Sequence, residues 1–167
     1  RIDQQAYPGV CRLVPTGEAR FDVVSHVNLE AYLPGVLAKE LYSDWRPATY
    51  HAQAIAARSY AIHRILNHGP GRHHDVEATQ ISQAYVGLTD HVLARRAVLD
   101  TAGIVLTWDG RVLEALYSSS CGGVTQSATQ AFGGPGPPPL DAQPHDDWCE
   151  ISPDFRWGPI QRDAATL

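Results

Sequence analysis

Residues 29–41, LEAYLPGVLAKEL, and residues 47–67, PATYHAQAIAARSYAIHRILN, govern how the rest of the chain is read. In the first stretch Leu29, Tyr32, Leu33, Val36 and Leu37 recur every three or four positions, the period of an amphipathic helix, and Asn28 stands where an N-cap belongs. Pro34 falls inside that pattern, which predicts a kink or a fresh helix start. The second stretch predicts the longest helix, from about Pro47 to Asn67, stopped by Gly69 and Pro70. Ile55, Ile62, Ile65 and Leu66 are expected along one side of it. Ala52, Ala54, Ala56, Ala57 and Ala61 permit close approach of neighbouring elements.

Working outward, Val10–Val14 and Phe21–Val27 read as two strands separated by turn residues Pro15, Gly17 and Glu18. Beyond the long helix, residues 68–80 are polar and rich in Gly and His, and read as a surface loop ending at Tyr85–Gly87. A third helix fits Asp90–Thr101, with Gly103 as its stop. Ile104–Trp108 and Val112–Tyr117 flank Asp109-Gly110, a hairpin signal of type I′, and the second strand leads into SSSCGG at 118–123. GGPGPPP at 133–139 is expected to hold no regular structure, and a short helix or coil is expected after Trp157. The reading is one α+β domain over residues 1–167, with N-terminal helices packed on small antiparallel hairpins and a groove between them.

The 167 residues are enough for a genuine core, and 44% hydrophobic with 19% charged residues is ordinary for a globular chain. A formal charge of −5 without Lys/Arg clusters argues against nucleic acid or anionic lipid as partner. No apolar run approaches the ~18 residues of a membrane span, so membrane attachment would need segments outside this chain. The sequence begins at Arg1, and the lack of a visible leader therefore carries no information about compartment. Three cysteines, Cys11, Cys121 and Cys149, form no CxxC pair.

LEAYLPGVLAKEL (29–41), AQAIAARSYA (52–61), SQAYVG (82–87), AVLDTAGIVLTWDGRVLEALYSSSCGGVT (97–125) and DDWCEISPDFRW (146–157) occur in the order seen in the SpoIID family, the sporulation stage II protein D group with its amidase-enhancer relatives. The chain resembles that family over about residues 20–160. The resemblance implies a bacterial cell-envelope enzyme, a lytic transglycosylase that cuts peptidoglycan between N-acetylmuramic acid and N-acetylglucosamine. It leaves a 1,6-anhydro end, and its substrate is glycan stripped of stem peptides. Glycan strands are then the partner, and a cell-wall amidase is a second candidate. The family's catalytic Glu maps to Glu40 and its required Arg to Arg58.

A lytic transglycosylase needs one carboxyl where ordinary glycosidases need two, because the sugar's own 6-hydroxyl is the nucleophile. Glu40 is sufficient in principle, and its neighbours Leu33, Val36, Leu37 and Leu41 are apolar enough to shield it. Arg58 can position Glu40 or pair with the muramic lactyl carboxylate; it can equally be a structural ion pair. Gln83 and Tyr85 offer an amide and an aromatic face to sugar rings, or pack the loop. Tyr117, Ser118, Ser119, Ser120 and Thr125, with Gly122 and Gly123, form a hydroxyl-rich turn suited to sugar hydroxyls, unless its side chains satisfy the turn itself.

Some family members bind zinc through Cys and His in the loop after the long helix. This chain has His68, His73, His74 and Asp75 there and no Cys, and an adjacent His pair seldom converges on one ion, so no metal or other cofactor is expected. Cys121 and Cys149 are a possible disulfide pair, which sequence leaves open. Two other functions compete with the enzyme. One is a non-catalytic glycan-binding or amidase-enhancing module. The other is acyl transfer with Cys121 or Ser120 as nucleophile and His145 as base, for which no motif speaks.

Overall fold

The computed structural model describes residues 2, 4–133, 136–142, 149–153 and 155–156. It is an α+β chain in two compact units, residues 1–116 and 117–167. His145 and the segment after Trp157 lie outside the described residues.

The first unit opens with an antiparallel hairpin of β1 (Val10–Gly17) and β2 (Arg20–His26). The turn is at residues 18–19 rather than at Pro15, which lies inside β1 opposite Phe21, where the register slips before Gly17. Proline is tolerated on such an edge strand because a two-stranded ribbon leaves half its N–H groups unused. The hairpin is largely exposed, with Val24 as its buried residue.

Helix α1 (Leu29–Glu40) starts as expected: Asn28 accepts the Glu30 N–H at 2.9 Å. Pro34 does not divide it, although proline supplies no N–H to the carbonyl four residues back. Leu33, Val36 and Leu37 are fully buried. Helix α2 (Pro47–Leu66) carries Pro47 at its first turn, where a missing N–H costs nothing. Its buried stripe is Tyr50, Ala54, Ala57 and Ala61, not the expected isoleucine face, and Ile65 and Leu66 are exposed. Small residues at spacings of four and three let α1 and α3 (Val92–Asp100) approach the α2 backbone closely. Each of these three helices packs on the other two, and with Ala94, Ala97 and Val98 of α3 they form the core.

The second hairpin is shorter than its apolar runs suggested. β3 (Thr107–Trp108) pairs with β4 (Arg111–Val112) around Asp109 and Gly110, whose positive φ of 48° and 71° give the I′ geometry. One further backbone bond, Leu113 N–H to Leu106 O at 2.9 Å, extends it. The run from Leu113 to Tyr117 is not a strand, because its hydrogen-bonding partner would have to be residues 102–106, which are instead tied to α2. Ser59 Oγ accepts from Leu106 N at 2.8 Å, and the Ile104 carbonyl accepts from Arg58.

In the second unit, α4 (Ala128–Phe132) has a reciprocal capping box between Ser127 and Gln130. The Pro-rich stretch contains a 3-10 turn, Pro138–Leu140, a correction to the expectation of no regular structure. Proline's fixed φ suits the first position of such a turn.

Candidate functional site

Glu40 is the last residue of α1, half-buried, and its Oε1 accepts the backbone N–H of Ala84 at 2.8 Å. Ala84 is held there by the strip from Gln83 to Leu88, which lies along α1. The Val86 N–H donates to Gly35 O at 3.3 Å, and the Leu88 N–H to Ala6 O at 2.8 Å. This close packing requires glycine at position 35: a Cβ there would sit 2.3 Å from the Gly87 carbonyl oxygen and 2.6 Å from the Tyr85 ring. Gly87 itself has φ of +73°, with Ala6 O in the space a side chain would occupy.

Gln83 is fully buried. Its Oε1 accepts from Tyr32 Oη at 3.1 Å and its Nε2 donates to the Ala57 carbonyl at 3.1 Å, so it pins the strip to α1 and α2 instead of facing substrate. Tyr85 packs on Tyr32, with ring centroids 4.6 Å apart, and on Tyr7 at 5.9 Å. Its hydroxyl is buried with no hydrogen-bond partner among the described residues, and desolvation, with smaller contributions from Tyr7 and Cys11, pushes its pKa up to about 12.

Arg58 is 1% exposed. Its Nε and Nη2 form a two-pronged pair with Glu30 at 2.7 and 2.9 Å, and Nη2 also donates to Val98 O at 3.2 Å. Nη1 donates to Ile104 O at 3.2 Å and, at 3.4 Å, to Ala54 O and Thr101 Oγ1. The guanidinium thus joins the start of α1, the middle of α2 and the end of α3. Of the readings left open by sequence, the geometry is that of the structural ion pair, and Glu40 is not among these contacts.

Two clefts adjoin these residues. The larger, about 750 Å³, has Tyr7, Asp22, Tyr32, His73, His74 and Tyr85 among its walls, and not Glu40. The smaller, about 470 Å³, is walled by Lys39, Ala78, Thr79, Ile81, Ala84 and Tyr85. Glu40 is not among the walls of this cleft either, but its chain neighbour Lys39 and its hydrogen-bond donor Ala84 are, so the smaller cleft is the candidate by proximity and not by size. Just past Glu40, exposed Tyr42 and Trp45 face each other with ring centroids 5.5 Å apart. Sequence reading passed over both; two aromatics within five residues of the acid were the available signal.

In the second unit, Ser118 Oγ donates to Ser120 O at 3.4 Å and Ser120 Oγ accepts the Gly122 N–H at 3.3 Å. Part of the hydroxyl set therefore satisfies its own turn. Ser118 and Ser119 are exposed, while Tyr117 and Thr125 are half-buried.

Among the described residues, Asp22, His73 and His74 bring ligand atoms within 4.8 Å of one another. His73 Nε2 and Asp22 Oδ2 already bond each other at 2.7 Å, and His74 Nε2 is 4.0 Å from Glu77 Oε1. Three donors that partly satisfy each other fall short of the four ligands of a structural zinc site.

Fold and site together define a small α+β domain that presents one held carboxylate at a helix end. Residues 17–108 match the model of the family SpoIID, Stage II sporulation protein. The chain is 34% identical over 76% of its length to an uncharacterized protein of Brachyspira hyodysenteriae, covering 34% of that protein. It is 32% identical over 60% of its length to the amidase enhancer of Bacillus subtilis, covering 13% of it. It is 28% identical over 69% of its length to the stage II sporulation protein D of Bacillus amyloliquefaciens, covering 38%. The chain belongs to the SpoIID family, and spans little more than a third or less of these relatives' lengths.

Proposed function

We propose that this chain is a peptidoglycan lytic transglycosylase of the cell envelope, with Glu40 as its single acid and base. Membership of the SpoIID family supports the coarser part, a role at the bacterial cell wall. Among the described residues no helix is long and apolar enough to cross a membrane. The observation that carries the finer part is the Glu40–Ala84 bond of 2.8 Å. It fixes Oε1 on a backbone donor and leaves Oε2 to handle the proton.

In the reaction, Glu40 protonates the glycosidic oxygen as the bond between N-acetylmuramic acid and N-acetylglucosamine breaks. The carboxylate then removes the proton from the muramic 6-hydroxyl, whose oxygen closes on C1 to give the anhydro ring. No water is consumed, and Glu40 returns to its starting protonation state. Peptide-stripped glycan is the preferred substrate in this reading.

A second reading is favoured by the 32% identity to an amidase enhancer: a glycan-binding module that stimulates a cell-wall amidase without cutting glycan. Mass spectrometry of products from stripped and intact glycan, with wild type and Glu40→Gln, separates the two. The transglycosylase yields anhydromuramyl ends with wild type and at least about a 10³-fold loss with Glu40→Gln, whose amide oxygen still accepts the Ala84 N–H. Binding without cleavage of either substrate would sink the enzyme and leave the module. Reducing ends would indicate water as nucleophile.

A further inference from the structure

We propose that Cys121 and Cys149 form a disulfide that staples the 118–125 turn to the C-terminal segment. Their sulfurs lie 3.2 Å apart, 28 residues apart in sequence and within the same unit. Closing to a bond of about 2.05 Å needs roughly 1 Å of sulfur movement, the range of a small side-chain rotation. A second contact sets the same alignment: the Phe155 ring packs on Gly123, 3.1 Å from where a Cβ would be. The turn and the segment 149–156 therefore meet at two points, Cys121 with Cys149 and Gly123 with Phe155.

The unit has a physical need for such a bond. Among the described residues, none of those from 117 onward is buried, so the described part of this unit supplies no core to hold it. Chains of roughly 40–60 residues that cannot bury a core are commonly held by disulfides. The Cys149 thiol is also primed for reaction. Hydrogen bonds from Cys121, backbone first and then thiol, and from Ser120 lower its pKa, which favours the thiolate.

The oxidant is an exchangeable disulfide, that of a dithiol oxidoreductase or of oxidised glutathione. The Cys149 thiolate attacks one of its sulfurs and expels the other as thiolate. The Cys121 thiolate then attacks the Cys149 sulfur of the mixed disulfide and displaces the second thiolate. Two electrons pass to the oxidant, and the two protons shed by the cysteines end on its two thiols.

The test is peptide mapping of the wild-type chain after equilibration with oxidised glutathione, acid quench and alkylation. The expected result is a linked pair of peptides joined through Cys121 and Cys149, two hydrogens lighter than the separate thiols, with Cys11 alkylated. Cys11 sits exposed on β1, in the other unit. Alkylation of both Cys121 and Cys149, or a link that includes Cys11, would overturn the proposal. Limited proteolysis supplies a second readout: reduction should speed cleavage between residues 117 and 156 by about tenfold, and an unchanged rate would remove the stapling role.

Discussion

Tyr85 carries a hydroxyl that its aromatic neighbours desolvate and no described residue bonds. Folding therefore favours the neutral phenol, with the pKa raised from 10.0 to about 12. A group whose folded pKa is raised contributes stability that is present below its unfolded pKa and lost as pH rises through the folded one. The wild type should accordingly lose stability between pH 10 and about 12, and Tyr85→Phe should flatten that slope. At neutral pH the same substitution should stabilise by about 1 kcal/mol, since it removes an unpartnered buried polar group. Denaturant unfolding at pH 7 and across the alkaline range checks both; a destabilised phenylalanine variant would mean that the hydroxyl has a partner in solution. Glu40 was legible as the candidate acid by its place in the matched block. The donor that holds it was not: a backbone N–H has no residue type, and Ala84 gives no signal of its own. Arg58 was legible as important, with a structural ion pair as one of its open readings. Its five donors met Glu30, Val98, Ile104, Thr101 and Ala54 only once three helices had packed.

At the scale of elements, the contact between α1 and the 83–88 strip brings the Glu40 carboxylate and the Ala84 amide together. Gly35 sits at its centre, buried, with the Val86 N–H on its carbonyl. Helix propensity alone makes Gly35→Ala favourable by about 1 kcal/mol. The added methyl meets backbone at 2.3 Å, which cannot yield as a side chain can, so overpacking should win and destabilise by about 2–3 kcal/mol. Because the strip must move outward, glycan cleavage should fall by more than the folded fraction does. Urea unfolding and specific activity per folded molecule separate the two effects; an unchanged or stabilised Gly35→Ala protein would show that the strip is not tightly seated. The two long helices, the third helix and the Asp-Gly turn could be read from periodicity, caps and turn residues. The faces of α2 could not. Isoleucine suggested the core, but close helix approach selected the alanine stripe beside Tyr50.

Across the whole molecule, every buried described residue falls between Val24 and Ala115, all within the first unit, and the family match at 17–108 lies inside the same unit. Residues 1–116 should therefore fold alone and unfold cooperatively, with a midpoint within about 5 °C of the full chain. Calorimetry of that fragment tests it, and a fragment without a cooperative transition would show that residues 117–167 are needed for the core. The sequence by itself determined the α+β class, the three longer helices, the Asp-Gly turn and the family, because these depend on short-range periodicity, capping chemistry and ordered motifs. Tertiary structure alone decided that Gln83 and Arg58 are buried ties, that Tyr85 is desolvated, that Asp22 joins His73 and His74, and that the sulfurs of Cys121 and Cys149 meet. Each of those depends on which groups distant in the chain are left within a few ångströms after packing, a quantity that local spacing does not encode.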